Sequence, residues 1–138
     1  MDVFLKLFGK VAEPFQEKCT VSWVTSDLER ALYYETLPYT NKMYSCRFYR
    51  SFLQLASEVQ CKDYLKNVSP KPPVLLMSGT QDMVGDKGAY AKEKAGLLIE
   101  NGFDVRLEIF DGMRHSILQE VQRENVYRLI SEFIRENI

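Results

Sequence analysis

The sequence has few of the residues that bind metals or form disulfides. It contains one histidine and three cysteines, Cys19, Cys46 and Cys61, and no two cysteines stand in C-x-x-C spacing. A structural zinc site is therefore not expected, and we predict cysteine thiols in a reducing compartment. A phosphate-binding glycine loop of the Rossmann or Walker type is also missing, so the sequence predicts no cofactor.

The chain also has no large excess of charge of one sign and no long apolar run. The net charge is -1, and the 18 Lys and Arg residues are scattered along the chain, so we expect no nucleic-acid partner. No apolar run is long enough to span a bilayer, so we expect no stable membrane insertion. The first residues, from Met1 to Phe4, lack the basic-then-apolar layout of a signal peptide, which favours a cytoplasmic location.

A strand, a helix and a second strand form the clearest pattern that is present. Val74–Met77 is a continuous apolar run that leads into turn residues, which is typical of a strand covered on both faces. A helix is predicted from about Asp86 to Asn101, and Val105–Ile109 then alternates apolar and charged residues like a strand at a sheet edge. Strand, helix and strand of these lengths make a βαβ unit with parallel strands, so the fold class is α/β.

Three more helices are predicted around this unit. One runs over residues 27–34 after a capping box that begins at Ser26, and the last runs over 119–137. A longer helix over 44–65 carries an apolar stripe at Phe48, Phe52, Leu55 and Val59. Ten of the 17 aromatic residues fall within positions 1–49. They form either a small core of large side chains or a wall for an apolar substrate.

An acid and a base are predicted to meet at one edge of the sheet. Asp82 follows the first strand and His115 follows the second. Neighbouring parallel strands lie roughly 5 Å apart, so the two loops are adjacent and the side chains can touch. A carboxylate on one imidazole nitrogen fixes the tautomer and stabilises the imidazolium, which is two thirds of a Ser-His-Asp triad.

The loops that carry these residues resemble those of a known family. Residues 78–86 and 111–120 are similar to the acid loop G-x-x-D-x-V-G-D and the histidine loop G-x-x-H-x-x-L-x-E of α/β-hydrolases. The nearest group is the lysophospholipase and monoacylglycerol-lipase-like branch, also called serine aminopeptidase S33. The resemblance implies that Asp82 is the triad acid and His115 the triad base. Asp86 is the second candidate for the acid, and Asp111 is a weaker third.

The resemblance implies only the C-terminal portion of the α/β-hydrolase fold. Residues 1–45 would be a partial helical cap or lid, and 46–138 the last two parallel strands with their flanking helices. The nucleophile of this family sits in a G-x-S-x-G elbow, and none of the nine serines has glycines at both flanking positions. We therefore expect a C-terminal fragment of a serine hydrolase that acts on carboxylic esters and is inactive alone.

The partners expected on this interpretation are of two kinds. The complete enzyme would bind an apolar acyl ester, such as a lysophospholipid or a monoacylglycerol. The 74–79 strand would need the missing N-terminal half or would self-associate, because an open apolar strand edge invites pairing. The alternative is an inactive truncated protein that serves as an oligomerising or interaction module. A small flavodoxin-like domain ranks last, because two strands are too few for it.

Overall fold

The computed structural model describes residues 11, 13–15, 19–39, 44–59 and 62–137. The α-helices whose bounds the structure gives are α1 (Leu28–Thr36), α2 (Cys46–Val59), α3 (Ala89–Glu100) and α4 (Arg123–Asn137). Two strands are present there, β1 (Val74–Gly79) and β2 (Val105–Phe110). Short 3-10 helices cover Lys62–Asn67, Asp86–Gly88 and Ile117–Gln119.

The two strands pair in parallel, as the sequence predicted. Val74 lies opposite Val105, and the register continues to Gly79 opposite Phe110. Helix α3 connects the strands and packs against both of them. Its buried stripe is centred on Ala95, a small residue that permits close approach to the sheet. The predicted βαβ unit is therefore confirmed, and it brings the C-terminal ends of β1 and β2 to one edge.

Helix α3 begins three residues later than the sequence pattern suggests. Asp86 and Lys87 have φ values of 48° and 55°, and Gly88 has 87°. These left-handed residues cannot continue into an α-helix, so the 3-10 turn Asp86–Gly88 comes first. The C-terminus matches the prediction, since the N–H of Gly102 donates to the Ile99 carbonyl at 2.8 Å.

The predicted capping box at the start of α1 is wrong. Asp27 is the N-cap residue, and its carboxylate accepts a hydrogen bond from the Arg30 N–H at 3.2 Å. The Ser26 hydroxyl donates instead to the buried carboxylate of Glu120, 94 residues away. A charged acceptor forms a stronger hydrogen bond than a backbone group does, so the Ser26 hydroxyl bonds to Glu120 and does not cap the helix.

Helix α2 is shorter than predicted, and the side chains of its apolar stripe are exposed to solvent. It ends at Val59 rather than near Leu65, and the 3-10 helix Lys62–Asn67 follows. The exposed fractions of Phe48, Phe52 and Leu55 are 48%, 56% and 57%. The rings of Phe48 and Phe52 stack on each other at 6.5 Å between centroids. The Val59 side chain lies outside the described part.

Two small apolar clusters hold the described residues together. The first contains Cys19, Val21 and Ala31. The second contains Met113, Ile117 and Val126, and the half-buried Met77, Phe110 and Ile130 pack against it. The predicted inward face of the last helix is confirmed, because Val126 and Leu129 are buried and Ile130 and Phe133 are half-buried. The second cluster fixes the loop after β2 beneath α4.

Two of the three cysteines lie in the described part of the chain. Cys19 is buried and Cys46 is exposed, and both are thiols. Cys61 lies outside the described residues. Among the helices that the structure describes, none has the length and the apolar character needed to cross a membrane. The cytoplasmic location stays a prediction.

Candidate active site

The turn after β1 holds Asp82 in a buried position. Its N–H donates to the Gly79 carbonyl at 3.2 Å, which closes the turn directly after the strand. One carboxylate oxygen, Oδ1, accepts the N–H of Val84 at 3.0 Å, and the side chain is only 10% exposed. Gly85 packs so closely that a Cβ there would lie 2.6 Å from Oδ2. The glycine of the acid-loop motif therefore leaves room for the carboxylate.

The loop after β2 carries His115 and is joined to the acid loop by backbone hydrogen bonds. The N–H of Thr80 donates to the Phe110 carbonyl, and that of Gln81 donates to the Met113 carbonyl, each at 2.9 Å. Met113 itself is buried in the cluster under α4. The imidazole of His115 remains 41% exposed, so it sits at the surface of a loop whose backbone is fixed.

The structure brings the two predicted residues together. Nδ1 of His115 lies 3.0 Å from Oδ1 of Asp82. With a carboxylate acceptor at that distance, Nδ1 carries the proton and donates it to Asp82, which leaves the lone pair on Nε2. This arrangement suits a general base whose imidazolium form is stabilised by the acid.

The two other candidate acids lie elsewhere. Asp86 is exposed and begins the 3-10 turn before α3. Asp111 is exposed, and its carboxylate accepts the hydroxyl of Thr80 at 3.0 Å. Asp82 is thus the acid that the geometry places against the histidine.

Sequence reasoning did not identify Trp23 as part of this site. Its ring centroid lies 5.3 Å from that of His115, with the ring planes tilted by 40°. The aromatic-rich first third of the chain contained Trp23, but no local pattern linked it to a loop 92 residues later. Glu120 is the last residue of the histidine-loop motif, and the sequence assigned it no role.

A cavity of about 410 Å³ opens beside the strand ends. It is lined by residues of the acid loop, the histidine loop and the N-terminal segment: Pro14, Phe15, Thr80, Gln81, Met83, Lys87 and Arg114. The guanidinium of Arg114 stacks over the Phe15 ring at 4.1 Å from its centroid. An aromatic residue of the first third therefore does reach the edge where Asp82 and His115 meet.

The described part of the chain holds neither a serine bonded to His115 nor a cluster of metal ligands. All nine serines lie within it, and none of their hydroxyls is hydrogen-bonded to His115. The described residues contain no group of three or more His, Cys, Asp or Glu side chains that could hold a metal ion.

The parallel strand pair, its crossover helix and the flanking helices belong to the α/β-hydrolase fold. The sequence model of the serine aminopeptidase S33 family matches residues 1–122, so the chain belongs to that family. This confirms the resemblance found in the two loops.

A solved structure supports the same fold. A highly thermostable carboxyl esterase from Bacillus coagulans, solved in complex with glycerol, matches with a TM-score of 0.87 over 99% of this chain. The two are 24% identical, and at that identity the likeness shows the fold alone. The match covers 45% of the esterase, so this chain spans less than half of that protein's length. No curated protein is similar enough to match the chain.

Proposed function

We propose that this chain supplies the acid and the base of a serine hydrolase that cleaves carboxylic esters. The observation that carries the proposal is the 3.0 Å contact between His115 and the buried Asp82, each placed after its own parallel strand. Membership of the S33 family and the fold shared with a carboxyl esterase support it.

In this mechanism Nε2 of His115 takes the proton of an attacking serine hydroxyl, and Asp82 stabilises the resulting imidazolium. The protonated histidine then gives the proton to the leaving alcohol, and water repeats the cycle on the acyl-enzyme. The proposal requires a serine from outside these 138 residues, because no serine here stands in a G-x-S-x-G elbow or bonds to His115. The chain alone is then inactive.

The substrate class follows from the aromatic residues near the site. Phe15 borders the cavity and Trp23 lies against His115. Aromatic side chains suit the acyl part of an ester, whereas the rest of the cavity lining is mostly polar, with Thr80, Gln81, Lys87 and Arg114. A lysophospholipid or a monoacylglycerol, which joins an acyl chain to a polar head, is therefore the proposed substrate. On this proposal residues 1–45 belong to a cap over the acyl pocket, and 46–138 belong to the core.

The partner that completes the site would bind at β1. In the described part of the chain β1 pairs with β2 alone, and the apolar stripe of α2 is half exposed. A parallel strand from an N-terminal half would cover the open edge, and a second copy of this chain is the alternative. Size-exclusion chromatography tests self-association, because a stable dilute monomer would count against it.

The test of the nucleophile is labelling with a fluorophosphonate probe, read by intact mass. We expect no adduct on the 138-residue chain alone. Mixing with a G-x-S-x-G-bearing N-terminal half of a family esterase should give one adduct, which His115→Ala abolishes. A His115-dependent adduct on the chain alone would show that one of its own serines is the nucleophile, against the proposal.

The acid is tested through the tautomer of His115. As the sole histidine, it gives one set of imidazole nitrogen signals in ¹⁵N NMR. We expect protonated Nδ1 in the neutral ring of the wild type. Asp82→Asn should populate the other tautomer, because an amide can donate to Nδ1 where the carboxylate could only accept. Asp111→Asn is the matched control and should change nothing. An unchanged tautomer in Asp82→Asn would refute the assignment of the acid.

A further inference from the structure

Glu120 has the most deeply buried charged side chain in the described part of the chain, at 1% exposure. It stands five residues after His115, at the end of the 3-10 turn Ile117–Gln119. Glu120 takes no part in the proposed proton transfers of His115. A carboxylate in such a place is costly unless donors satisfy it, so its contacts indicate what it does there.

The carboxylate of Glu120 joins two distant segments. Oε1 accepts the N–H of Arg114, the residue directly before His115, at 2.7 Å. Both oxygens accept the N–H of Ser26, at 3.2 and 3.0 Å, and the Ser26 hydroxyl also donates to Oε2. Each of these is a hydrogen bond to a charged acceptor, which is roughly twice as strong as a neutral one.

Further hydrogen bonds tie the same two segments on either side of His115. The Arg114 guanidinium donates to the Ser22 and Thr25 carbonyls at 2.6 and 3.2 Å. On the other side, the N–H of Ser116 donates to the Val24 carbonyl at 2.8 Å. Both sequence neighbours of His115 are therefore attached to residues 22–26. Trp23, which lies against the imidazole, is in the middle of that segment.

We propose that Glu120 is a positioning residue for His115, acting by holding residues 22–26 against the histidine loop. With the backbone fixed on both sides, the imidazole is confined between Asp82 and the Trp23 ring. Such confinement affects the reaction rate, since a 1 Å misplacement of a catalytic group can lower the rate roughly a hundredfold. The inference rests on the proposed function of His115 and goes beyond it, because it assigns a role to a residue that touches no reacting atom.

The test uses the sole histidine and the sole tryptophan of the chain as reporters. Two quantities are measured, the His115 tautomer by ¹⁵N NMR and the NOE between the Trp23 and His115 ring protons. Glu120→Gln keeps the shape of the side chain but turns one acceptor into a donor that faces other donors. We expect this variant to lose most of the Trp23–His115 NOE and the single tautomer, while its far-UV circular dichroism stays unchanged.

The matched control is Glu132→Gln, because Glu132 is exposed on α4, and it should leave both signals as in the wild type. A folded Glu120→Gln variant with an unchanged NOE and tautomer would overturn the proposal. If Glu120→Gln does not fold, Ser26→Ala decides. It removes one donor and should weaken the NOE partially, and an unchanged NOE would again overturn the proposal.

Failure of this inference is distinguishable from failure of the proposed function. If Asp82→Asn changes the tautomer and Glu120→Gln leaves both signals unchanged, only the positioning role is refuted. If Asp82→Asn has no effect on the tautomer, the proposed acid is refuted. The role of Glu120 is then judged by the Trp23–His115 NOE alone.

Discussion

The last residue of β1 has to be a glycine, because the histidine loop crosses directly over it. A Cβ built on Gly79 would lie 2.0 Å from the Met113 carbonyl oxygen and 2.5 Å from its carbonyl carbon. Both are backbone atoms, so no side-chain rotation can relieve the clash. Gly79→Ala therefore has to move the histidine loop away from the acid loop by about 1 Å or more to reach a tolerable contact.

Two costs add in Gly79→Ala. Overpacking of this kind costs about 1–3 kcal/mol. The hydrogen bond from the Gln81 N–H to the Met113 carbonyl, 2.9 Å in the wild type, is stretched or lost for about 1 kcal/mol more. We expect the free energy of unfolding to fall by about 2–4 kcal/mol. Because the two loops separate, the contact between Asp82 and His115 should also lengthen.

Gly96 provides the matched control. It lies within α3, and a Cβ there would meet nothing within 4 Å. Gly96→Ala should raise the free energy of unfolding by about 0.5–1 kcal/mol, since alanine is the better helix former. Urea unfolding followed by Trp23 fluorescence measures both variants. The reasoning is refuted if Gly79→Ala is as stable as the wild type while Gly96→Ala is stabilised as expected.

Two further predictions concern the core and the surface. Val126→Ala should lower the free energy of unfolding by about 2 kcal/mol, because Val126 is 0% exposed and packs against Met113 and Ile117 of the histidine loop. Val121→Ala, at a position 64% exposed, is its control, and equal effects would contradict the burial argument. The hydroxyl and then the N–H of Thr20 hold the pKa of Glu35 below its ordinary value of 4.5. A carboxyl group whose pKa is lowered in the folded state stabilises the fold at pH values above its unfolded-state pKa. That contribution is lost as the pH falls through the folded-state pKa, which lies below 4.5. A ¹³C titration of the Glu35 carboxyl should show the low midpoint, and Thr20→Val should raise it; an unchanged midpoint would contradict the cause.

The parts of the fold that the sequence predicted well depend on short-range patterns. The apolar run at Val74–Met77 and the alternation at Val105–Ile109 each identify a strand without reference to the rest of the chain. The meeting of Asp82 and His115 was predictable because parallel strands bring their C-terminal ends to one edge. The catalytic roles of the two residues stay a proposal.

The failures at Ser26 and Trp23 have a common physical cause. Ser26 matched a capping box locally, but a buried carboxylate 94 residues away offered it a stronger acceptor. The contact of Trp23 with His115 and the attachment of the histidine loop to residues 22–26 likewise depend on pairs far apart in sequence. Hydrophobic periodicity carries no information about such pairs, so only the folded chain shows them.

The hydrogen bonds at Glu120 join residues much farther apart in sequence than those between the two strand ends. Thr80 and Asp111, at the ends of the two strands, are 31 residues apart, whereas Ser26 and Glu120 are 94 apart. Closing the longer loop costs about 1 kcal/mol more chain entropy than closing the shorter one. We therefore expect the strand pair to assemble early and residues 22–26 to dock onto the histidine loop late. A chain that has folded only as far as its sheet has Asp82 and His115 on the same edge but does not yet confine the imidazole. On the proposed function, the positioning of the base at His115 is then completed only in the last step of folding.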